Sequence, residues 1–445
     1  MTGPLGACSL LTPGAQLAAE LIECETLDAM DSPEIQVEKQ SKPTPAEYLA
    51  SGSSTLVLLG AGASVKAGVP TSVRMTEVIA KAINDDSRNR YSGVSQALNF
   101  TIAAILAHRG EKGQSPYDGL DIEMLFSAVQ MLATRQDLEV AAFVRNWHPA
   151  LDSFGPPERP DPFIASKVDD SIRAVLSSAR PPARIGLGKL LEQYVTASVQ
   201  DSGTYPVYDE LQKVMIRELR RQLVVADDKF GYLSPILNQQ LHSSRTIATL
   251  NYDLGVECVA QRQGLDLTTG MENWAGGFDW DWPSSSALRL IKLHGSINWK
   301  MTDPDRRRHA ASAVEVASGE ESGRTLPLVI FGQRGKVRAD GPFLGLLRAF
   351  EQALYQADRL LVVGYSFRDA HINTVINRWL VTDAARGIVV VDPNFNAGSG
   401  FYTEEFAPRL FQQFGRDQYP AEGGELQRLF IDPHYAEVAL AELLP

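Results

Sequence analysis

Residues 55–71 read TLVLLGAGASVKAGVPT, and the fold is decided there. An apolar run of β-formers at 55–59, bounded by glycine and followed by a helical pattern, predicts a buried strand feeding a helix. Gly60, Ala61, Gly62, Ala63 and Ser64 form the turn between them. Small residues let the backbone bend sharply and approach a ligand, and a helix behind the turn aims N–H groups and its positive dipole end at that ligand. A pyrophosphate suits this arrangement. However, Gly60, Gly62 and Gly68 do not follow G-x-G-x-x-G spacing, and no acidic residue stands about 20 residues on in a clear second strand. A tight turn of small residues chosen for packing alone therefore stays open.

The chain has 445 residues, 44% hydrophobic and 22% charged, which allows two or more packed units with a large core. A formal charge of −12 gives no general attraction to nucleic acid or anionic membrane, so neither is expected as a direct partner. Basic groups such as Arg306, Arg307 and Arg308 read as solvated faces. The three cysteines, Cys8, Cys24 and Cys258, contain no C-x-x-C pair, which excludes a disulfide framework and an all-cysteine zinc ribbon. The first basic residue is Lys39 and no apolar run reaches membrane-span length, so a cytoplasmic protein without a signal peptide is expected.

Outward from the glycine turn, residues 1–45 read as a disordered tail rich in Pro, Gly, Ser, Thr and acids. Strands are expected at 246–250, 289–293, 326–331, 359–363 and 387–391, and helices at 72–84, 255–263, 343–357 and 369–385. Short apolar strands alternating with helices predict a doubly wound, mostly parallel Rossmann-like α/β sheet, covering 46–84 and 242–415. Between these pieces, residues 85–241 read as an all-helical insertion, with faces such as Leu211, Met215, Leu219 and Leu223 at helical spacing. Asp121 and Glu123 fall at a helix start, where acids commonly cap. Residues 274–283, WAGGFDWDWP, form an aromatic loop, 302–324 a long polar loop or lid, and 416–445 a C-terminal tail.

Ligands of open α/β sheets bind beyond the carboxyl ends of the strands. Four strand ends here carry unusual polar groups: Asn251-Tyr252-Asp253, His294-Gly295-Ser296, Gly364-Tyr365-Ser366-Phe367 and Asp392-Pro393-Asn394. Each has a plain structural explanation, as a cap, a core histidine or a turn residue. Their convergence on one sheet edge, opposite the glycine turn, makes them the candidate site.

In this order, GAGAS with AGVPT, TLNYD, KLHGSINW and GYSFRDAHIN closely resemble the sirtuin-like NAD-binding domain. The forms KLHGSINW and GYSFRDAHIN are similar to the bacterial branch that hydrolyses NAD in antiphage defence. The resemblance spans about residues 50–84 and 244–395. Two departures separate the chain from sirtuin deacylases. They carry a four-cysteine zinc ribbon, and where they have G-I-P-D-F-R this chain has Gly68-Val69-Pro70-Thr71-Ser72-Val73-Arg74.

The resemblance implies NAD as substrate, cleaved at the nicotinamide–ribose bond, with no metal. It implies Asn251 and His294 as catalytic residues, Asn251 orienting ribose and water and His294 accepting a proton. Gly60, Ala61, Gly62 and Ser64 would hold the pyrophosphate, with Gly364 and Ser366 facing the phosphates and adenosine ribose. Asp253 would order the site, and Asp392 would accept hydrogen bonds from ribose hydroxyls. Asp369, His371 and Asn373 are expected to be structural. Such an activity needs restraint, so control is expected from homo-oligomerisation, the helical insertion or a separate partner such as a motor ATPase. An NAD-dependent deacylase and a non-catalytic NAD or ADP-ribose sensor are the competing readings, with a nicotinamide-dependent dehydrogenase behind them.

Overall fold

β1 (Thr55–Leu59) is buried along its whole length, as an apolar run in the middle of a parallel sheet must be. The computed structural model describes residues 43–114, 119–144, 147–152, 154, 206–238, 246–271, 274, 282, 288–302, 313–316, 329, 341–395 and 428–444. A short helix α1 (Pro45–Ala50) precedes β1, opened by a Thr44–Glu47 capping box. After β1 come a 3-10 helix (Ala61–Ala67) and α2 (Ser72–Asp85). The helices α3 (Ser87–Tyr91), α4 (Val94–Glu111), α5 (Ile122–Ala133) and α6 (Val207–Leu223) follow, with a 3-10 segment at Asp227–Leu237. Then come β2 (Thr246–Thr249), α7 (Gly255–Arg262), β3 (Leu267–Thr268) and β4 (Leu288–Lys292), and a hairpin of β5 (Trp299–Thr302) and β6 (Ala313–Val316). The chain continues with α8 (Phe343–Tyr355), β7 (Arg359–Val363), α9 (Ala370–Thr382), β8 (Gly387–Val391), β9 (Leu429–Asp432) and α10 (Ala436–Leu443).

Seven strands form one parallel sheet in the order β3-β4-β2-β1-β7-β8-β9. The order runs outward in opposite directions from the β1/β7 pair, so the sheet is doubly wound with its switch point there. Strand residues divide between the faces with period two. Val57, Leu59, Leu361 and Val363 enter one core with α2, α4, α5, α6, α7 and α10. Leu56, Leu58, Leu360 and Val362 enter the other, with α8 and α9. The helices between 85 and 238 thus share the core of the sheet's first face. α2 shows why: Met75, Ile79 and Ile83, one turn apart, are its buried stripe.

Several expectations need correction. The glycine turn is itself part of a seven-residue 3-10 helix, while the α-helix starts at Ser72 as expected. Within the expected C-terminal tail, Leu429–Asp432 pairs in parallel with β8 and α10 buries Ala439 and Leu440 completely. A four-residue strand and an eight-residue helix are too short for a strong periodic signal. Inside the expected polar loop 302–324, Ala313–Val316 forms the second strand of the antiparallel hairpin. Of the expected strand 326–331 only Val329 is described, and it makes an isolated antiparallel bridge to Gly295. Trp274 and Trp282 of the aromatic loop pack on the second core. Thr44 and Pro45, at the end of the expected tail 1–45, cap and open α1; residues 1–42 of that tail, and the rest of these loops, lie outside the described residues.

The start of β7 is tied to the start of β1 by Asp358, which accepts from the Ser53 and Ser54 amides at 2.8 and 3.0 Å and from the Ser53 hydroxyl at 2.9 Å. Burial pushes the Asp358 carboxyl up, but the bonds from Ser53 and Ser54 outweigh it and hold the group below the usual carboxylate range. A lowered folded pKa means the unfolded chain binds the proton more readily. The stabilisation is therefore complete above the unfolded pKa and lost as pH falls through the folded one. Asp358→Asn is expected to lower stability at pH 7. In urea titrations repeated towards about pH 3, the gap to the parent should close.

Candidate functional site

At the switch point, the turn after β1 and the turn after β7 press directly on each other. A Cβ on Gly62 would lie 2.7 Å from Gly364 Cα, and one on Gly60 would lie 2.6 Å from Gly364 O. Gly364 itself sits at φ +62°, where a Cβ would meet Ala63 N at 2.4 Å. Only glycine fits these positions. Two amides close the seam: Gly60 N–H donates to Val363 O at 2.9 Å and Gly62 N–H to Gly364 O at 2.8 Å.

A cavity of about 370 Å³ opens above this seam. Of the residues singled out in the sequence, Ala61, Gly62, Ser64, Asn251, Asp253, His294, Gly364, Ser366 and Asp392 line it, while Gly60 stands behind them. The strand order sets their sequence in space. Asp392 follows β8, Gly364 and Ser366 follow β7, the glycine turn follows β1, Asn251 follows β2 and His294 follows β4. The N–H groups of Gly60, Gly62 and Gly364 are all taken by carbonyls, the last by Val391 O, because the seam consumes them. Ala61 N–H, first in the 3-10 helix, has no partner among the described residues.

Around the turn, a hydrogen-bond network fixes Asn251, Ser64 and Asp253. Asn251 Nδ2 donates to Gly60 O and to Ser64 Oγ, each at 2.9 Å. A carbonyl oxygen only accepts, so the amide nitrogen must face Gly60, which leaves Oδ1 as the acceptor on the other side. Ser64, buried, donates Oγ–H to Asp253 Oδ2 at 2.7 Å, and Gly255 N–H donates to Asp253 Oδ1 at 2.9 Å. From below, the fully buried Lys292 at the end of β4 donates to Asp253 O and pairs with Glu257 at 2.7 Å. Tyr232 donates to Ala63 O, and burial together with Asp253 holds its hydroxyl protonated.

His294 is buried, with Nε2 2.9 Å from Asp369 Oδ2. Asp369 uses its other oxygen to cap α9, accepting from His371 and Ile372 N–H at 3.0 and 3.4 Å. A carboxylate accepts only, so Nε2 carries the proton towards it and Nδ1 keeps a lone pair. Asn373 supports the same turn, accepting from Tyr365 OH at 2.9 Å and donating to Phe367 O at 2.6 Å. Phe367 lies at φ +54°, a conformation costing a non-glycine residue about 1–2 kcal/mol, and it is fully buried between Tyr365 and Phe395.

The helical segment adds groups that sequence reading did not place in the site. Asp121 caps α5 through Glu123 N–H at 2.7 Å and also pairs with Arg368 at 2.7 Å, and Asp121, Glu123 and Arg368 all line the cavity. Tyr252 lies with its ring centroid 6.2 Å from that of His294. Burial, then Glu123, Asp121 and Asp369, with a hydrogen bond to Glu123, hold the Tyr252 hydroxyl firmly protonated. Tyr435 and Ala436 reach the cavity from the start of α10. The signal available for Asp369 was its place in GYSFRDAHIN; for Asp121 and Glu123 only their capping position was visible.

Residues 245–415 match the SIR2-like domain family. That span holds Asn251, Asp253, His294, Gly364, Ser366, Asp369 and Asp392, and leaves out the glycine turn. No curated protein matches the chain. Among solved structures, a Sir2 homolog–NAD complex is similar at 10% identity, over 90% of this chain and 91% of that one, with a TM-score of 0.34. A substituted Sir2 homologue bound to 2′-O-acetyl ADP-ribose is similar at 11% identity, over 90% and 93%, with a TM-score of 0.35. A Sir2–p53 peptide–NAD+ complex gives 11% identity over 83% and 96%, with a TM-score of 0.28. At these scores the likeness carries no argument about the site. Among the described residues no helix is long and apolar enough to cross a membrane.

Gly364→Ala is expected to destabilise more than Gly62→Ala. Both overpack the seam, by about 1–3 kcal/mol, and only Gly364→Ala adds left-handed strain of about 1–2 kcal/mol. Denaturant midpoints of the two variants check the order. Glu257→Ala, which strands the buried Lys292 ammonium, is expected to cost about 3–5 kcal/mol in the same assay.

Proposed function

We propose that this protein is a sirtuin-like NAD hydrolase that cleaves the nicotinamide–ribose bond to release nicotinamide and ADP-ribose. The observation that carries the reading is the buried His294–Asp369 pair, set beside Asn251 on a cavity that crosses the switch point of a doubly wound sheet. The SIR2-like match over 245–415 supports it independently of the glycine turn.

Ala61 N–H and the close glycine seam suit a pyrophosphate passing over Gly62 and Gly364. Asp392, whose Oδ1 is held by Asn394 N–H at 2.8 Å, suits the adenosine ribose, and Asn251 and His294 then stand at the other ribose. In the reaction, water oxygen bonds to the ribosyl carbon while the nicotinamide nitrogen leaves with the bonding electrons and becomes neutral. His294 Nδ1 accepts the proton released, and Asp369 stabilises the resulting imidazolium. Asn251 Oδ1 accepts from the ribose or the water and orients it. The acids around His294 favour the positive charge that develops on the sugar.

The KLHGSINW and GYSFRDAHIN forms support a role in antiphage defence by NAD depletion. Such an enzyme must be held off until triggered. We assign that control to self-association, to the helical segment, or to a separate activator such as a motor ATPase.

Nicotinamide release from NAD by the purified protein tests the reading, with candidate activators added where the protein alone is silent. His294→Ala and Asn251→Ala are each expected to lose about 10²- to 10⁴-fold in kcat with folding retained. Asp369→Asn should lower kcat with little change in KM, since Asp369 acts through His294. Full turnover in His294→Ala would overturn the assignment.

A further inference from the structure

The turn that carries Asp369 is gripped from the helical segment. Asp121, the N-cap of α5, divides its carboxylate: Oδ1 accepts from Glu123 N–H at 2.7 Å, and Oδ2 accepts from Arg368 Nη1 at 2.7 Å. Arg368 is the residue directly before Asp369, 247 positions from Asp121. The Asp121 side chain is 16% exposed and that of Arg368 34%, so the pair is better shielded than an ordinary surface contact. The start of α5 is itself anchored to α2. Thr76 donates Oγ1–H to Leu120 O at 2.6 Å in a buried bond, and Gly119 packs so closely on Val73 that a Cβ there would overlap its Cγ1.

The gripped turn is one that needs holding. Phe367 sits at φ +54°, a conformation that persists in a non-glycine residue only where its neighbours over-determine it. Asn373 holds the Phe367 carbonyl from one side at 2.6 Å, and the Asp121–Arg368 pair fixes the next residue from the other. We infer that Asp121 and Arg368 are positioning residues: their ion pair keeps this turn in the conformation that presents Asp369 Oδ2 to His294 Nε2, 2.9 Å away. The catalytic consequence rests on the hydrolase reading, while the effect on the His294–Asp369 bond does not. Asp121 lies outside residues 245–415, so a helix beyond the SIR2-like span supports the site. The competing account is electrostatic, with the Asp121 charge acting on the ligand by itself. The two separate in one respect: if Asp121 acts through Arg368, its removal changes nothing more in a protein that already lacks Arg368.

Asp121→Asn, Arg368→Met and the double variant of the full-length protein make the test. Asparagine caps a helix as well as aspartate does, so Asp121→Asn removes the ion pair and keeps the cap. The first readout is the Nε2–H proton of His294, followed by proton NMR in water and assigned by its absence from His294→Gln. Its exchange with water is expected to quicken about tenfold in each single variant and no further in the double. The second readout is NAD turnover, under the activation the parent requires. There kcat is expected to fall by about 10- to 10²-fold with KM little changed, again without multiplying in the double variant. Unchanged exchange in Asp121→Asn overturns the inference, as does a parent in which this proton exchanges as freely as an exposed one. Losses that multiply in the double variant overturn it too, in favour of the direct electrostatic role. Quickened, non-multiplying exchange in a protein that never turns NAD over would uphold the positioning and count against the hydrolase reading alone.

Discussion

The contact between Gly62 and Gly364 is the constraint on which the rest of the site depends. Two backbones approach so closely that Gly60, Gly62 and Gly364 cannot carry a side chain, and the amides of Gly60 and Gly62 seal the join. The close approach draws the turns after β1 and β7 into one surface at the switch point, where a doubly wound sheet opens its ligand crevice. It also commits the N–H groups of Gly60, Gly62 and Gly364 to carbonyls. What the turn provides instead is proximity, one amide at Ala61, and an anchor at Gly60 O for Asn251.

Polar groups around the seam are held in two tiers. Asn251, Ser64 and Asp253 bind one another and the turn, and the buried Lys292 ties the Asp253 loop to Glu257 on α7. On the other side Asp369 both caps α9 and fixes His294. A side chain already committed to two partners has little freedom to lose, which is how a site is organised before a substrate arrives. The strained Phe367 and the Asp121–Arg368 pair lie immediately before Asp369, so the helical segment is mechanically joined to the histidine's partner.

Much of this architecture was legible in the sequence where burial is complete. β1, β7 and β8 each carry four consecutive apolar, buried residues, and their observed bounds coincide with the expected ones. β3, with two residues, and β9 with α10 were not legible, since so few residues carry no period to read. In the site, strand-end position was enough to gather Asn251, His294, Gly364 and Asp392 onto one cavity. Pairings across the chain were not readable. Asp369 looks like a helix cap and is one, and nothing local says that its second oxygen faces His294. Asp121 likewise caps α5 and separately reaches Arg368.

The orientation of the dinucleotide can be read from a crystal structure of the protein with an NAD analogue whose nicotinamide–ribose bond resists cleavage. The pyrophosphate is expected over Gly62 and Gly364, the adenosine ribose against Asp392, and the scissile carbon within reach of His294 and Asn251. A reversed ligand, or one bound away from the β1/β7 seam, would contradict it.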